Sequence, residues 1–437
     1  MKLYSTRQQA PLVTFRQALF QGQAPGGGLY MPTEFPALNW SDLHPRSRSS
    51  YQELVIYVLE SLLGDEIDSE GLAHLIDQAY TFAPRFAQTD SHTRILELFH
   101  GPTLSFKDFG AQFMAKSMGY FLRHENREIT ILVATSGDTG SAVAHAYHNV
   151  EGIRIVLLYP SGKVSPLQEK QFTTLGDNIT ALEIDGTFDD CQALVKRAFA
   201  DADIREKRTL SSANSINIGR LIPQSIYYMW GVSRMLQEFN STFVCVPSGN
   251  FGNICAGLFA REMGLPVQRF IAAVNANSVI SEYIETGEFQ PRPSVRTLSN
   301  AMDVGNPSNW ERIRTLYHDD YESITQRMWS TSVNDDATID TMKQIYAKFD
   351  YVADPHTAVG LQAAQRFRRQ VSGQGDSPCL VLSTAHPAKF SDVVQQALGI
   401  DLPLPPALED CLQKPKLAEF MANDYEPFKA FLWELRD

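Results

Sequence analysis

Apolar residues recur along this chain with two different spacings. Between residues 51 and 63, YQELVIYVLESLL repeats its apolar positions every three to four residues, the spacing of a helix with one buried face. The first 85 or so residues carry this patterning, interrupted by loops such as APGGGLYMP at 24–32, and predict a helical extension rather than a sheet. From about residue 129 the texture changes. EITILVAT precedes GSAVAHAYHNV, IRIVLLYP precedes SPLQEKQFTTLG, and NITALEI precedes DDCQALVKRAFA. Short β-branched runs alternating with amphipathic stretches mark βαβ units and a parallel sheet. STFVCVP, RFIAAVN and PCLVLSTA continue the series toward residue 385, which gives two α/β lobes behind the extension. The stretch 284–310 is rich in turn residues and predicts a long loop beside the site.

Length agrees with that division, since 437 residues allow two or three domains. The expected boundaries are a helical extension at 1–90, a smaller α/β lobe at 91–215 and a larger α/β lobe at 216–437. A net charge of -12 argues against a nucleic-acid backbone or an anionic membrane surface as the main partner. The five cysteines are widely spaced and form no CxxC pair, which disfavours a disulfide framework or a thiolate metal site. MKLYSTRQQAPLVTF does not read as a signal peptide, and no run approaches the roughly 20 apolar residues of a membrane span. The expectation is a cytoplasmic protein.

Two glycine-bearing turns lie where α/β proteins bind ligands, after a strand and before a helix. Thr135-Ser136-Gly137-Asp138-Thr139-Gly140 carries hydroxyls and one carboxylate. Ser248-Gly249-Asn250-Phe251-Gly252-Asn253 has no side-chain cation and suits a phosphate held by backbone N–H groups. Neither matches a nucleotide P-loop or a dinucleotide fingerprint, and each alone also reads as a tight turn without a ligand. Lys107, in GPTLSFKDFGAQFMAKSM, opens an apolar helical stretch, where the helix dipole disfavours a cation. Loss of its charge in a Schiff base removes that penalty. Taken on this local argument alone, the residue reads more simply as a solvated lysine paired with Asp108. Thr384 ends the PCLVLSTA strand, while His386 and Lys389 read as loop and surface residues. Arg220 is either a surface charge or a planar fork for phosphate. The ten histidines form no HExxH pattern, so no catalytic metal is expected.

STRQQAPLVTFRQALFQGQAPGGGLYMP, FHGPTLSFKDFG, VATSGDTGSAV, YPSGKVSPLQEKQ, SANSINIGRLIPQ, VPSGNFGN and LSTAHPAKF appear in this order over nearly the whole chain. The ordered set resembles the longer microbial branch of the threonine synthase family. That resemblance implies the pyridoxal-phosphate (PLP) fold type II, the tryptophan-synthase β-like architecture, with cofactor between two lobes. It also implies Lys107 as the Schiff-base lysine and catalytic base, and Ser248, Gly249, Asn250, Phe251, Gly252 and Asn253 as the cradle of the cofactor phosphate. Thr384 is implied at the pyridine nitrogen. Asp138 falls where shorter relatives place an Asn or similar group near O3′, a departure that leaves its contact open. The implied substrate is O-phospho-L-homoserine, with Ser136, Thr139, Asn214, Ser215 and Arg220 around it. The implied reaction is γ-elimination of phosphate followed by β-addition of water. The alternatives are a fold type II serine or threonine dehydratase, which does not need SANSINIGR for a substrate phosphate, or a non-catalytic protein that binds PLP or a phosphorylated ligand.

Overall fold

The β-branched runs form the centres of two parallel sheets. The computed structural model describes residues 1–8, 10–40, 49–123, 125, 127–371 and 373–435. Ile129–Ala134 and Ile153–Pro160 are buried almost throughout and pair in parallel, as suits strands covered by helices on both faces. They sit in a five-stranded sheet ordered Ala418–Ala422, Ile179–Asp185, Ile153–Pro160, Ile129–Ala134 and Leu210–Ser211. The helices Asp138–Tyr147, Pro166–Thr173 and Phe188–Ala200 follow where amphipathic stretches predict them. Thr187 and Asp190 cap the third reciprocally, an arrangement worth about 1 kcal/mol.

The other sheet has six strands, ordered Met328–Ser332, Phe270–Val274, Phe243–Pro247, Cys379–Ser383, Thr93–Glu97 and Arg85–Gln88. Only the last pairs antiparallel. Sheet membership crosses the boundaries expected at 90/91 and 215/216. Thr93–Glu97 pairs with Cys379–Ser383 in the six-stranded sheet. Ala418–Ala422 returns to the five-stranded sheet, and Phe428 and Leu432 of the helix Tyr425–Glu434 join Leu132, Leu158 and Leu182 in its core.

The extension contains the expected helices, Phe15–Gln21, Tyr51–Leu63 and Ser69–Ala79. It also contains a small antiparallel sheet of Val13–Thr14, Lys2–Ser5 and Tyr30–Pro32, which corrects the expectation that no sheet lies there. Strands of two to four residues are too short to show an alternating pattern.

Extension and lobes share one core, in which Val55, Val58 and Leu59 cluster with Phe109, Phe113 and Trp230. Tyr51 meets Tyr80, Phe109 and Trp230 edge-on at ring distances of 5.6, 5.5 and 5.6 Å. The Tyr80 hydroxyl donates to the Phe109 carbonyl at 2.8 Å. These contacts fix the buried side of the helix Lys107–Leu122 from behind. Truncating a buried aromatic such as Phe109 costs about 3–5 kcal/mol. Among the described residues, no helix is long and apolar enough to cross a membrane.

Candidate active site

A cleft of about 2180 Å³ is lined by the extension and both lobes. The residues that the family resemblance assigns to cofactor and substrate all line it: Lys107, Ser136, Asp138, Thr139, Asn214, Ser215, Arg220, the run 248–253 and Thr384. Lys107 is the first residue of its helix, and the segment leading to it is stitched to the end of the Cys379–Ser383 strand. Leu98 N donates to Ser383 O at 2.9 Å, Phe106 N to Thr384 O at 2.9 Å, and His386 N to Leu104 O at 3.0 Å. These bonds bring Lys107 and Thr384 to one wall.

Lys107 is not paired with Asp108, which is wholly buried and accepts from Thr103 N at 2.9 Å and Thr103 Oγ1 at 2.6 Å. Its nearest carboxylate is that of Asp138, with Nζ 3.8 Å from Oδ2. The other oxygen of Asp138 accepts from Lys389 Nζ at 2.6 Å and Gln168 Nε2 at 2.9 Å. Lys389 also donates to Thr103 O at 2.9 Å and is 3% exposed, so the surface position expected for it is wrong. Its neighbour-to-be, Thr103, lies 286 residues earlier, beyond the reach of any local spacing. Burial drives the Lys107 amine down to about 8, assisted by Lys389 and Arg220 and opposed by Asp138. Burial works against the charge of Asp138, but Lys389 and Lys107 outweigh it and hold the carboxyl well below its usual range.

In the first turn, the Thr135 hydroxyl accepts from Gly137 N at 3.1 Å and Gly140 N at 2.8 Å. Gly137 has φ 142°, and a Cβ on Gly140 would lie 2.5 Å from Thr135 Cγ2. The second turn is arranged differently. Among the described residues, no acceptor takes the backbone N–H groups of Gly249, Asn250, Phe251, Gly252 or Asn253. Side chains hold the turn instead. Asn250 donates to Ser215 Oγ at 2.6 Å and accepts from Ser308 N at 2.7 Å, while Asn253 Oδ1 accepts from Tyr227 and Tyr228 at 2.5 and 2.6 Å. The left-handed residue is Phe251, at φ 59°, with its ring 6.0 Å from Trp310. Glycine serves at 249 for another reason, since a Cβ there would lie 2.6 Å from Met302 Cα. Open amides at the start of the helix Gly252–Glu262, with a buried and unpartnered Asn253 Nδ2, fit the phosphate of a bound cofactor.

A second place for an anion lies beside Lys107. Arg220 is 2% exposed and has no carboxylate partner among the described residues; it donates to Ala213 O at 2.7 Å and to Lys107 O at 3.5 Å, and its Nε is unpartnered. Burial lowers its guanidinium to about 10, against the pull of Tyr147 and Asp108, so it remains charged at neutral pH. Asn214 Oδ1 is likewise buried without a partner. Arg312 was not foreseen, although it donates to Ser215 O at 3.1 Å, Ile216 O at 2.6 Å and Tyr30 O at 3.1 Å, tying this segment to the extension. Gln168, Tyr227 and Tyr228 were missed too, because their roles depend on partners distant in sequence.

Residues 84–384 match the family described as pyridoxal-phosphate dependent enzyme, residues 2–80 match the threonine synthase N terminus, and residues 357–432 match the threonine synthase C-terminal family. The threonine synthase of Serratia marcescens is 42% identical over 100% of both chains. The chain belongs to the threonine synthase family. Another member, from Escherichia coli, is 41% identical over 99% of both chains. The crystal structure of threonine synthase from Brucella melitensis, described as PLP bound, superposes with a TM-score of 0.92 at 35% identity, covering 99% of this chain and 98% of that one. The E. coli threonine synthase structure gives 0.91 at 40% identity with complete coverage of both. These likenesses establish the fold type II architecture and the PLP dependence that the family carries. Threonine deaminase isoform 2 from Solanum lycopersicum, at a TM-score of 0.54 and 14% identity, shares the fold alone and covers 76% of this chain.

Proposed function

We propose that this threonine synthase converts O-phospho-L-homoserine and water into L-threonine and phosphate in the cytoplasm. The observation that carries the choice of substrate is Arg220, a buried guanidinium without a carboxylate partner among the described residues, in the same cleft as a separate run of open amides. Two anion-binding places suit a phosphorylated cofactor and a phosphorylated substrate together. Lys107 would hold the cofactor covalently, with the turn from Ser248 to Asn253 at its phosphate, Asp138 beside its ring and Thr384 at its ring nitrogen. PLP supplies an electron sink that acidifies the hydrogen on the amine-bearing carbon of a bound amino acid. Arg220, Asn214, Ser215, Ser136 and Thr139 would bind the substrate's phosphate, and Arg220 would balance the charge that grows as phosphate departs.

Lys107 Nζ is the base that carries protons between substrate carbons. With its amine near 8, a substantial fraction is neutral at physiological pH, and its conjugate acid is strong enough to return the proton. The decisive assay compares phosphate release from O-phosphohomoserine with ammonia release from serine and threonine. Phosphate release with formation of threonine is expected. Ammonia release without activity on the phosphorylated substrate would replace this reading with a dehydratase.

A further inference from the structure

Asp138 faces two lysines, and its oxygens are divided unequally between them. Lys389 Nζ and Gln168 Nε2 occupy Oδ1 at 2.6 and 2.9 Å, whereas Lys107 Nζ stands 3.8 Å from Oδ2, outside hydrogen-bond reach. Lys389 has no exposed side-chain area and does not line the cleft, so it cannot touch a substrate directly. It does bond Thr103 O, on the approach to Lys107, which makes it a link between the carboxylate and the segment that carries the amine. We propose that Lys389 is a positioning residue for Lys107: by holding Oδ1 of Asp138 and standing as a second cation at the site, it keeps the Lys107 amine free to act as nucleophile and base.

Without Lys389, Asp138 would be free to turn both oxygens toward Lys107 and fix it as a fully paired ammonium. An opposite charge at close range favours the charged form of an amine, and a like charge disfavours it. The other groups acting on Lys107 do not supply the same control. Arg220 comes from the SANSINIGR segment and also disfavours the ammonium, but its bonds go to the Ala213 and Lys107 carbonyls and not to Asp138. Asp108, on the same helix as Lys107, is turned into its bonds with Thr103. The alternative is a plain structural tie, in which Lys389 holds three segments together and has no influence on the amine.

The inference rests on Lys107 as the reactive amine but not on the identity of the substrate, so it is tested without substrate. The full-length protein, freed of cofactor, is pulse-labelled with trace acetic anhydride over roughly pH 6 to 10, and acetylation of Lys107 is read by peptide mass spectrometry. The wild-type labelling midpoint is expected near 8. Lys389→Met should move it up by about one pH unit, slowing labelling at pH 8 about fivefold, and Asp138→Asn should move it down. Lys389→Arg, which keeps the charge, should restore the wild-type midpoint. A folded Lys389→Met protein with an unchanged midpoint overturns the proposal and leaves only the structural tie. Should that variant fail to fold, the double variant Asp138→Asn/Lys389→Met, which leaves no unpaired buried carboxylate, carries the test. Its midpoint must then lie above that of Asp138→Asn alone, and equality overturns the proposal. Failure of the phosphate-release assay with normal labelling shifts would instead remove the substrate assignment.

Discussion

The two strand-turn-helix units of the cleft have the same local pattern and opposite chemistry. At 135–140 the backbone is partly self-satisfied, with two amides taken by Thr135, and the side chain of Asp138 is the group presented to Lys107. At 248–253 the side chains of Asn250 and Asn253 are engaged with the scaffold and, among the described residues, no acceptor takes the amides of 249–253. A glycine-rich turn after a strand therefore does not announce one kind of site. What decides is whether a neighbouring side chain takes the amides. The first turn is suited to setting charge, the second to holding an anion through fixed dipoles.

The largest way to sharpen this contrast is Lys107→Ala, which removes the amine that the first turn serves and leaves the second turn intact. Phosphate release should fall at least about a thousandfold, while cofactor still binds without a borohydride-reducible linkage. Complete loss of binding, in a protein that melts normally, would mean that the open amides alone do not hold the phosphate. Arg220→Leu should cost about 10- to 150-fold in kcat/KM for O-phosphohomoserine, the range for a charge-assisted hydrogen bond of about 1.5–3 kcal/mol, with cofactor retention unchanged. Cofactor lost along with activity would move Arg220 from the substrate to the cofactor or the fold.

Gly249→Ala should weaken cofactor affinity about tenfold, because the new Cβ meets the backbone of Met302 at 2.6 Å and pushes the cradle from its place. Gly252→Ala, whose nearest neighbour is Asn309 Nδ2 at 3.3 Å, should change it less than about threefold. Equal effects in a cofactor titration would show that the Met302 contact is not what sets the cradle. The smallest expected effect separates the turns by pH. Burial holds His145, in the helix after the first turn, down to about 4, although its bond to Gln171 O opposes the shift. A folded value below the unfolded 6.5 means that its stability contribution is full above 6.5 and is lost as pH falls toward 4. At pH 5 the loss should be about 1–2 kcal/mol, and urea unfolding of His145→Gln should show a correspondingly smaller drop between pH 7 and pH 5.

Continuous apolar runs were the readable part of the fold. IRIVLLYP became the strand Ile153–Pro160 residue for residue, and YQELVIYVLESLL became the helix Tyr51–Leu63. The strands Met328–Ser332 and Ala418–Ala422 escaped notice because they lie at sheet edges, where half-exposed positions admit Ser, Thr and Glu and erase the pattern. In the site, residues carried by motifs arrived together in one cleft. Their partners were illegible. Nothing in the spacing of LSTAHPAKF indicates that Lys389 turns inward to Asp138, because that depends on how two distant segments meet. The readiness of the second turn for an anion was legible from its composition, but the reason for Gly249 was not, since Met302 approaches from a loop some fifty residues away.

The return of Ala418–Ala422 to the five-stranded sheet has a consequence for birth on the ribosome. Its partner Ile179–Asp185 is synthesised more than 200 residues earlier, a delay of roughly 10–50 seconds at typical elongation rates. Throughout that interval the nascent chain displays an unpaired parallel edge, the kind of surface on which strands of other molecules assemble. That edge gains its native cover only when residues 418–422 emerge.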